Sequence, residues 1–248
     1  MVGEGRTSSE GDPVVDMSDI EGLSPYDLAD AEALRIGKHL TALPDEAWLQ
    51  PSRCEGWSVR DVAAHLSATE EYHHACLEGR VKAFVAAAHA SGTASLADSN
   101  ARGIAARSWL TNAQVVAQWR DADAVTRREM RARDGGQMDT SIGLYPVRLQ
   151  AFHVASELAI HADDMGVPVS DNEAGARWQW RARFSRFALK EAKPEVGVRA
   201  ATGGGTEVTV GGVPFVLGDR ALAEAVAGRL PADAGLADEV RTALSVTP

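Results

Sequence analysis

The chain has 248 residues, of which 45% are hydrophobic and 24% charged, so it is long and apolar enough to bury a core and has an ordinary globular composition. Its 25 Lys and Arg residues against 35 Asp and Glu residues give a formal net charge of -10, which disfavours a general nucleic-acid binder. Two cysteines are too few for a disulfide framework, and a reducing, cytoplasmic location is expected.

The N-terminal segment, residues 1–22, is rich in Gly, Ser, Asp and Glu and is predicted to be a flexible tail. It lacks the basic start and the apolar run of a signal peptide. No apolar stretch reaches the roughly 18 residues of a membrane span, so no membrane association is expected.

Helix-start signals predict the first two helices. Ser24 followed by Pro25 predicts a helix over about 25–42, with an apolar face formed by Leu28, Leu34, Leu40 and Leu43. Ser58 with Asp61 three residues later resembles a capping box, and the apolar spacing after it predicts a second helix over about 59–78, with 89 as its outer limit.

The middle of the chain predicts two more helical segments. After a polar break at residues 91–100, a third helix or helix pair is expected, interrupted near Thr111. Gly135, Gly136 and Gly143 indicate a loop, and a fourth helix begins at Pro146 and ends before Gly166.

The composition changes after about residue 170, where an aromatic helix is followed by three short strands separated by Gly-rich turns and then by two short helices. We therefore predict a mainly α fold, with a helical bundle over residues 23–168 and a small α+β domain over residues 169–248.

The fourth helix carries a polar stripe whose members recur at spacings of four, four and three: His153, Glu157, His161 and Asp164. Apolar residues flank this stripe, so part of it is expected to face the bundle interior. An unpaired carboxylate is costly there, and a metal ion would offset its charge.

His65, on the apolar side of the second helix, supplies a third donor for a site with Glu157 and His161. Two histidines and one carboxylate with an open position suit catalytic Zn²⁺ and also Fe²⁺ or another divalent ion. The alternative is a satisfied core histidine at His65 with a surface Glu157–His161 pair, and spacing alone does not choose between the two. Cys54 and Trp57 precede this helix and are interpreted as a structural anchor.

Two stretches of the sequence resemble the mycothiol-dependent maleylpyruvate isomerase family of the DinB-like superfamily. The first runs from Trp48 through Cys54 and Gly56-Trp57 to His65-Leu66, and the second is Glu157-x-x-x-His161-x-x-Asp164. The resemblance covers about residues 24–232. It implies a DinB-like four-helix bundle with a small α/β C-terminal domain, a metal held by His65, Glu157 and His161, and mycothiol as the thiol.

The resemblance also implies an active-site arginine from the C-terminal domain. Arg229 matches that position best, with Arg220 as runner-up, and the plain alternative for both is a solvated helix residue. His153 and Asp164 are expected to orient the ligands, or in the case of His153 to face the substrate.

The hypothesis is a divalent-metal-dependent enzyme, with Zn²⁺ as the expected ion, that adds a low-molecular-weight thiol to an activated double bond or electrophile, as in maleylpyruvate isomerisation. Its partners are then a small electrophilic substrate and the thiol, with no nucleic acid and no membrane. The alternatives are a mycothiol S-transferase in detoxification and a non-catalytic metal- or ligand-binding protein that keeps the bundle.

Overall fold

The computed structural model describes residues 16–246, so most of the predicted N-terminal tail lies outside the described residues. The chain divides into two compact units, which are described separately below. The first spans residues 23–177, and the second contains residues 178–246 together with the described residues 16–22. None of the helices within residues 16–246 combines the length and apolar character needed to cross a membrane.

The first unit is a helical bundle, and the predicted mainly α fold is confirmed. Its helices are α1 (Pro25–Ala42), α2 (Val59–Leu77), α3 (Val81–Ala90), α4 (Leu96–Ala105), α5 (Asn112–Ala132), α6 (Val147–Asp164) and the start of α7 (Asp171–Ala192). The four long helices α1, α2, α5 and α6 form the bundle, in which α1 packs against α6 and α5, and α2 packs against α5 and α6.

Side-chain caps begin the helices where the sequence predicts them. The Ser24 side chain accepts a hydrogen bond from the Asp27 backbone at the start of α1. Ser58 and Asp61 form a complete capping box at the start of α2. Thr111 caps α5, which confirms the predicted interruption of the third helical segment.

The predicted apolar face of α1 was partly wrong. Leu34 is 58% exposed, whereas the buried face is lined by smaller residues and one aromatic ring: Tyr26, Ala29, Ala33, Ile36 and Leu40. Small side chains at this face let neighbouring helices approach closely, so the leucine spacing was a poor guide to which side faces the core.

Three other elements differ from the sequence prediction. α2 ends at Leu77, and Gly79, with a φ of 68°, separates it from α3. α4 begins inside the predicted polar break because Ser95 caps it. The predicted glycine loop contains an antiparallel hairpin of β1 (Gln137–Thr140) and β2 (Gly143–Pro146). Strands of four residues are too short for a clear alternation of apolar and polar side chains in the sequence.

The second unit is a small α+β domain, as predicted. Its strands form one antiparallel sheet in the order β3 (Gly197–Ala200), β4 (Thr206–Val210), β5 (Val213–Leu217), and the helices that follow are α8 (Asp219–Val226) and α9 (Asp238–Leu244). Leu189, Val208 and Leu222 lie fully buried in its core. Gly205 adopts a φ of 77° where a Cβ would come within 2.5 Å of the Leu217 carbonyl oxygen, so the turn before β4 requires glycine.

The division between the units falls inside α7 rather than at the predicted residue 168. Arg177 lies at the end of the first unit, and its guanidinium donates to Glu32 of α1 and Asp163 of α6. The described end of the predicted tail contains a short 3-10 helix, Ser18–Ile20, and Asp19 accepts a hydrogen bond from Arg186 of α7 at 2.5 Å. Residues 16–22 are therefore held against α7.

Candidate metal centre

The bundle brings together His65 of α2 with Glu157 and His161 of α6. Their ligand atoms all lie within 4.8 Å of one another. His65 Nε2 is 3.4 Å from Glu157 Oε1, and the two imidazole ring centroids are 4.9 Å apart. Both histidines are buried, while the Glu157 side chain is 30% exposed. We call these three residues the His–Glu–His set.

Local sequence explains the convergence. The Ser58–Asp61 capping box fixes the first turn of α2, and His65 then lies between the buried Val62 and Leu66. Glu157 and His161 are four residues apart, so they lie on one face of α6. Trp57, just before α2, places its ring centroid 5.2 Å from that of His65 and covers one side of the imidazole.

The electrostatics of the set keep Glu157 ionised. Burial alone would raise the pKa of its carboxyl. The hydrogen bond from His65, together with the electrostatic influence of the nearby His65, His73 and His161 rings, outweighs burial and lowers the pKa to about 2. Glu157 is therefore an anion at neutral pH, which is the form that binds a cation.

Asp164 contacts His161 on the other side of the ring. Its Oδ2 lies 3.1 Å from His161 Nδ1, and Asp164 is 3% exposed. Because Nδ1 is engaged there, Nε2 is the nitrogen left to face the set. Two imidazoles and a carboxylate, with one ring held by a carboxylate behind it, fit the donor set of a catalytic zinc centre with an open position.

His153 lies outside this set. Its Nε2 is 3.2 Å from the Tyr145 hydroxyl of β2, and it is in neither of the two metal-capable groups found among residues 16–246. Its predicted contribution to ligand orientation or substrate contact stays a prediction.

The two candidate arginines belong to the second unit. Arg229 follows α8, and its guanidinium donates to the Ala227 carbonyl at 3.4 Å. Arg220 donates to Glu224 Oε1 at 3.3 Å, and its guanidinium carbon lies 5.3 Å from the centroid of a Trp178 ring. An active-site role for Arg229 stays a prediction that rests on the family resemblance.

Sequence reasoning missed two features near the set. Cys54, interpreted as an anchor, places its Sγ 3.1 Å from Asp164 Oδ2. Glu70, His73 and Asp123 form a second buried polar cluster, in which His73 Nδ1 lies 3.5 Å from Glu70 Oε2. The spacing of the histidines could have indicated this cluster. His73 follows His65 by eight residues and therefore lies on the same side of α2.

The fold is a four-helix bundle, and two of its helices present two histidines and a carboxylate to each other. This combination is typical of helical-bundle proteins that bind a metal ion between their helices. The family model described as the mycothiol maleylpyruvate isomerase N-terminal domain matches residues 29–166, more than half of the chain. The chain therefore belongs to the mycothiol maleylpyruvate isomerase family.

Two solved structures share the fold. The crystal structure of a mycothiol-dependent maleylpyruvate isomerase aligns with a TM-score of 0.59 at 14% identity, covering 84% of this chain and 89% of that one. A His-to-Ala mutant of the mycothiol-dependent maleylpyruvate isomerase aligns with a TM-score of 0.53 at 14% identity, covering 83% and 88%. A comparison with curated proteins finds no significant match.

Proposed function

We propose that this protein is a divalent-metal-dependent enzyme that adds a low-molecular-weight thiol, mycothiol, to the activated double bond of a small electrophilic substrate, as in maleylpyruvate isomerisation. The observation that carries the proposal is the convergence of His65, Glu157 and His161 within 4.8 Å at a partly exposed point of the bundle. Family membership supports mycothiol as the thiol.

The donor set suits zinc, with one position left for an exogenous ligand. A divalent ion bound there would favour the thiolate form of a coordinating thiol, and the thiolate is the reactive nucleophile.

The protein's own groups then have separate tasks. Glu157 contributes a full negative charge, and Asp164 holds the proton on His161 Nδ1 so that the ring keeps one orientation. Trp57 covers the His65 ring and limits water access to it.

The proposed reaction balances without an oxidant or a reductant. The sulfur forms a C–S bond with one alkene carbon, and the other alkene carbon takes a proton. Rotation about the resulting single bond, followed by loss of that proton and cleavage of the C–S bond, regenerates the thiol and the double bond in the other geometry. An enzyme that stops after addition is an S-transferase. Arg229 is proposed to bind a substrate carboxylate through paired hydrogen bonds.

The test is a two-substrate assay of zinc-loaded protein with mycothiol. With maleylpyruvate, isomerisation without net thiol consumption supports the isomerase. With a bimane or epoxide electrophile, a stable adduct and loss of free thiol support the S-transferase instead. Protein with zinc bound that is inert in both assays would overturn the proposed enzyme and favour a non-catalytic metal-binding protein. Glu157→Ala is the inactive reference, and His153→Ala is the matched variant on the same helix.

A further inference from the structure

A second group of metal-capable donors lies behind the His–Glu–His set and includes sulfur. Cys54, His161 and Asp164 place one ligand atom each within 4.8 Å of the other two. Asp164 Oδ2 is 3.1 Å from both Cys54 Sγ and His161 Nδ1, and the sulfur is 3.9 Å from the same nitrogen. We call these residues the Cys–His–Asp set.

The spacing of these atoms matches the coordination shell of a small ion. Zinc bonds of about 2.3 Å to sulfur and about 2.0–2.2 Å to nitrogen and oxygen put neighbouring ligands of a tetrahedron about 3.4–3.6 Å apart. The three observed distances, 3.1, 3.1 and 3.9 Å, bracket that range. Side-chain shifts of a few tenths of an ångström would therefore complete three corners of a tetrahedron.

The backbone around Cys54 is fixed by its own hydrogen bonds. The Cys54 amide donates to Ser52 Oγ at 3.1 Å, and its carbonyl accepts from the Trp57 amide at 3.0 Å. The Arg53 amide donates to the Asp164 carbonyl at 3.0 Å and ties this loop to the end of α6. All three side chains of the set are buried, with exposures of 8%, 9% and 3%. The set is therefore pre-organised and shielded from water.

We propose that the Cys–His–Asp set is a second, thiolate-containing metal site that takes thiophilic divalent ions such as Zn²⁺ or Cd²⁺. Thiolate ligands select these ions over Mg²⁺, which prefers oxygen. On binding, the Cys54 thiol loses its proton to solvent. A thiolate, a carboxylate and a neutral imidazole then balance the two charges of the ion.

The two sets share His161, and a neutral His161 ring can serve only one of them at a time. His161 binds an ion of the Cys–His–Asp set through Nδ1, so its remaining proton moves to Nε2. Nε2 is the nitrogen that faces the His–Glu–His set, and a protonated nitrogen cannot bind a metal. Occupation of the sulfur-containing site therefore removes one ligand from the other site, so an ion held there would inhibit any reaction that needs the His–Glu–His set.

The test is a Co²⁺ titration of metal-free protein, reduced with a phosphine so that no exogenous thiol is present, followed by near-ultraviolet absorption. A thiolate-to-cobalt charge-transfer band reports sulfur ligation directly. We expect the band in the wild type at high loading and a stronger band in His65→Ala, in which the competing set has lost a ligand. We expect Cys54→Ser to lose the band and still bind one Co²⁺ through the His–Glu–His set.

The chain offers a matched control because Cys54 and Cys76 are its only cysteines. Cys76→Ala should keep the band, and this variant assigns the signal to Cys54 even where Cys54 variants fail to fold. Absence of the band in both the wild type and His65→Ala at saturating Co²⁺, or a band lost in Cys76→Ala, would overturn the second site. Either result leaves the proposed enzyme function standing, since the His–Glu–His set binds Co²⁺ without a sulfur band.

Discussion

Among the single residues of the candidate site, Asp164 contacts two neighbours through one carboxylate oxygen. Asp164 Oδ2 faces both the His161 ring and the Cys54 thiol at 3.1 Å. A carboxylate that holds a ligating histidine fixes the ring orientation and raises its basicity. Asp164 should therefore determine how tightly an ion binds although it lies outside the His–Glu–His set.

The first prediction concerns this oxygen. Asp164→Asn should weaken Zn²⁺ binding by about 10–100-fold, because the amide cannot supply the same charge behind His161. Competition with a chromophoric chelator measures the affinity. His89→Ala is the control and should leave the affinity unchanged, since His89 is exposed in the last turn of α3. Equal affinities for the wild type and Asp164→Asn would show that Asp164 does not support the site.

The second prediction concerns the buried Asp123 of α5. Burial raises the pKa of its carboxyl to about 6; the Arg127 charge opposes the rise and Glu70 adds to it. The stability that protonated Asp123 contributes is present below its ordinary pKa of 3.8 and is lost as the pH rises through about 6.

Asp123→Asn should remove this contribution of residue 123 to the pH dependence of stability. The stability of the variant relative to the wild type should therefore increase between pH 4 and pH 8, by up to about 3 kcal/mol. Urea unfolding of both metal-free proteins at the two pH values measures the change. The same stability difference at both pH values would contradict a raised pKa at Asp123.

Residue-level sequence reasoning located the donors of the His–Glu–His set and the neighbouring Asp164, but not the contact of Cys54 with Asp164. Helical spacing placed Glu157 and His161 on one face, and the apolar side of the second helix offered His65 as a third donor. The family resemblance then favoured these three residues over the alternative of a core histidine and a surface pair. The contact of Cys54 with Asp164 joins a loop to a helix end 110 residues later, and no local periodicity encodes such a contact. Whether the three donors bind a metal stays a prediction.

At the scale of elements, caps determine where the site-bearing helices begin. Ser58 Oγ accepts from the Asp61 amide at 3.2 Å, and the Asp61 carboxylate accepts from the Ser58 amide at 2.9 Å. These bonds satisfy amides of the first turn that have no partner within the helix. Strong caps of this kind made α1, α2 and the start of α5 predictable. The β1–β2 hairpin was not predicted, because its strands are four residues long and no capping residue marks where they begin.

The third prediction compares two serine caps. Ser58→Ala should destabilise the protein by about 1 kcal/mol and also weaken metal binding, because α2 carries His65. Ser95→Ala removes a similar cap from α4, which carries none of the His–Glu–His residues, and should leave metal binding unchanged. Urea midpoints and chelator competition give the two readouts. Equal metal affinities for the two variants would show that the cap of α2 does not affect metal binding.

At the scale of the whole molecule, the chain combines a helical bundle with a small α+β unit, and the fourth prediction asks whether the second unit takes part in the reaction. Arg229→Lys should lower turnover while zinc content and folding stay unchanged, because an ammonium cannot reproduce paired hydrogen bonds to a carboxylate. Arg220→Lys is the matched control and should keep wild-type rates. Wild-type turnover in both Arg229→Lys and Arg220→Lys would show that neither arginine takes part in the reaction and would leave the C-terminal unit a structural role.

The sequence predicted a helical unit followed by an α+β unit. After residue 192, helical periodicity is replaced by short apolar strands and glycine turns. The position of the division was not predictable from the sequence. Arg177 lies at the end of the first unit, where its guanidinium forms ion pairs with Glu32 at 2.8 Å and Asp163 at 2.7 Å. These partners lie 145 and 14 residues before Arg177 in the sequence. Only the packing of the helices brings them together, so the sequence pattern does not predict the contacts.

The zinc content of the purified protein and of its variants, measured by mass spectrometry after dialysis against a fixed zinc buffer, tests the His–Glu–His metal centre directly. With every variant made in a Cys54→Ser background, which lacks the proposed sulfur-containing site, we predict about one ion in the parent and in His153→Ala, with large losses in His65→Ala, Glu157→Ala and His161→Ala, because each of these three removes one of only three protein ligands of the His–Glu–His set. Full zinc content in Glu157→Ala, together with loss in His153→Ala, would show that the metal binds a different face of α6 and would contradict the account.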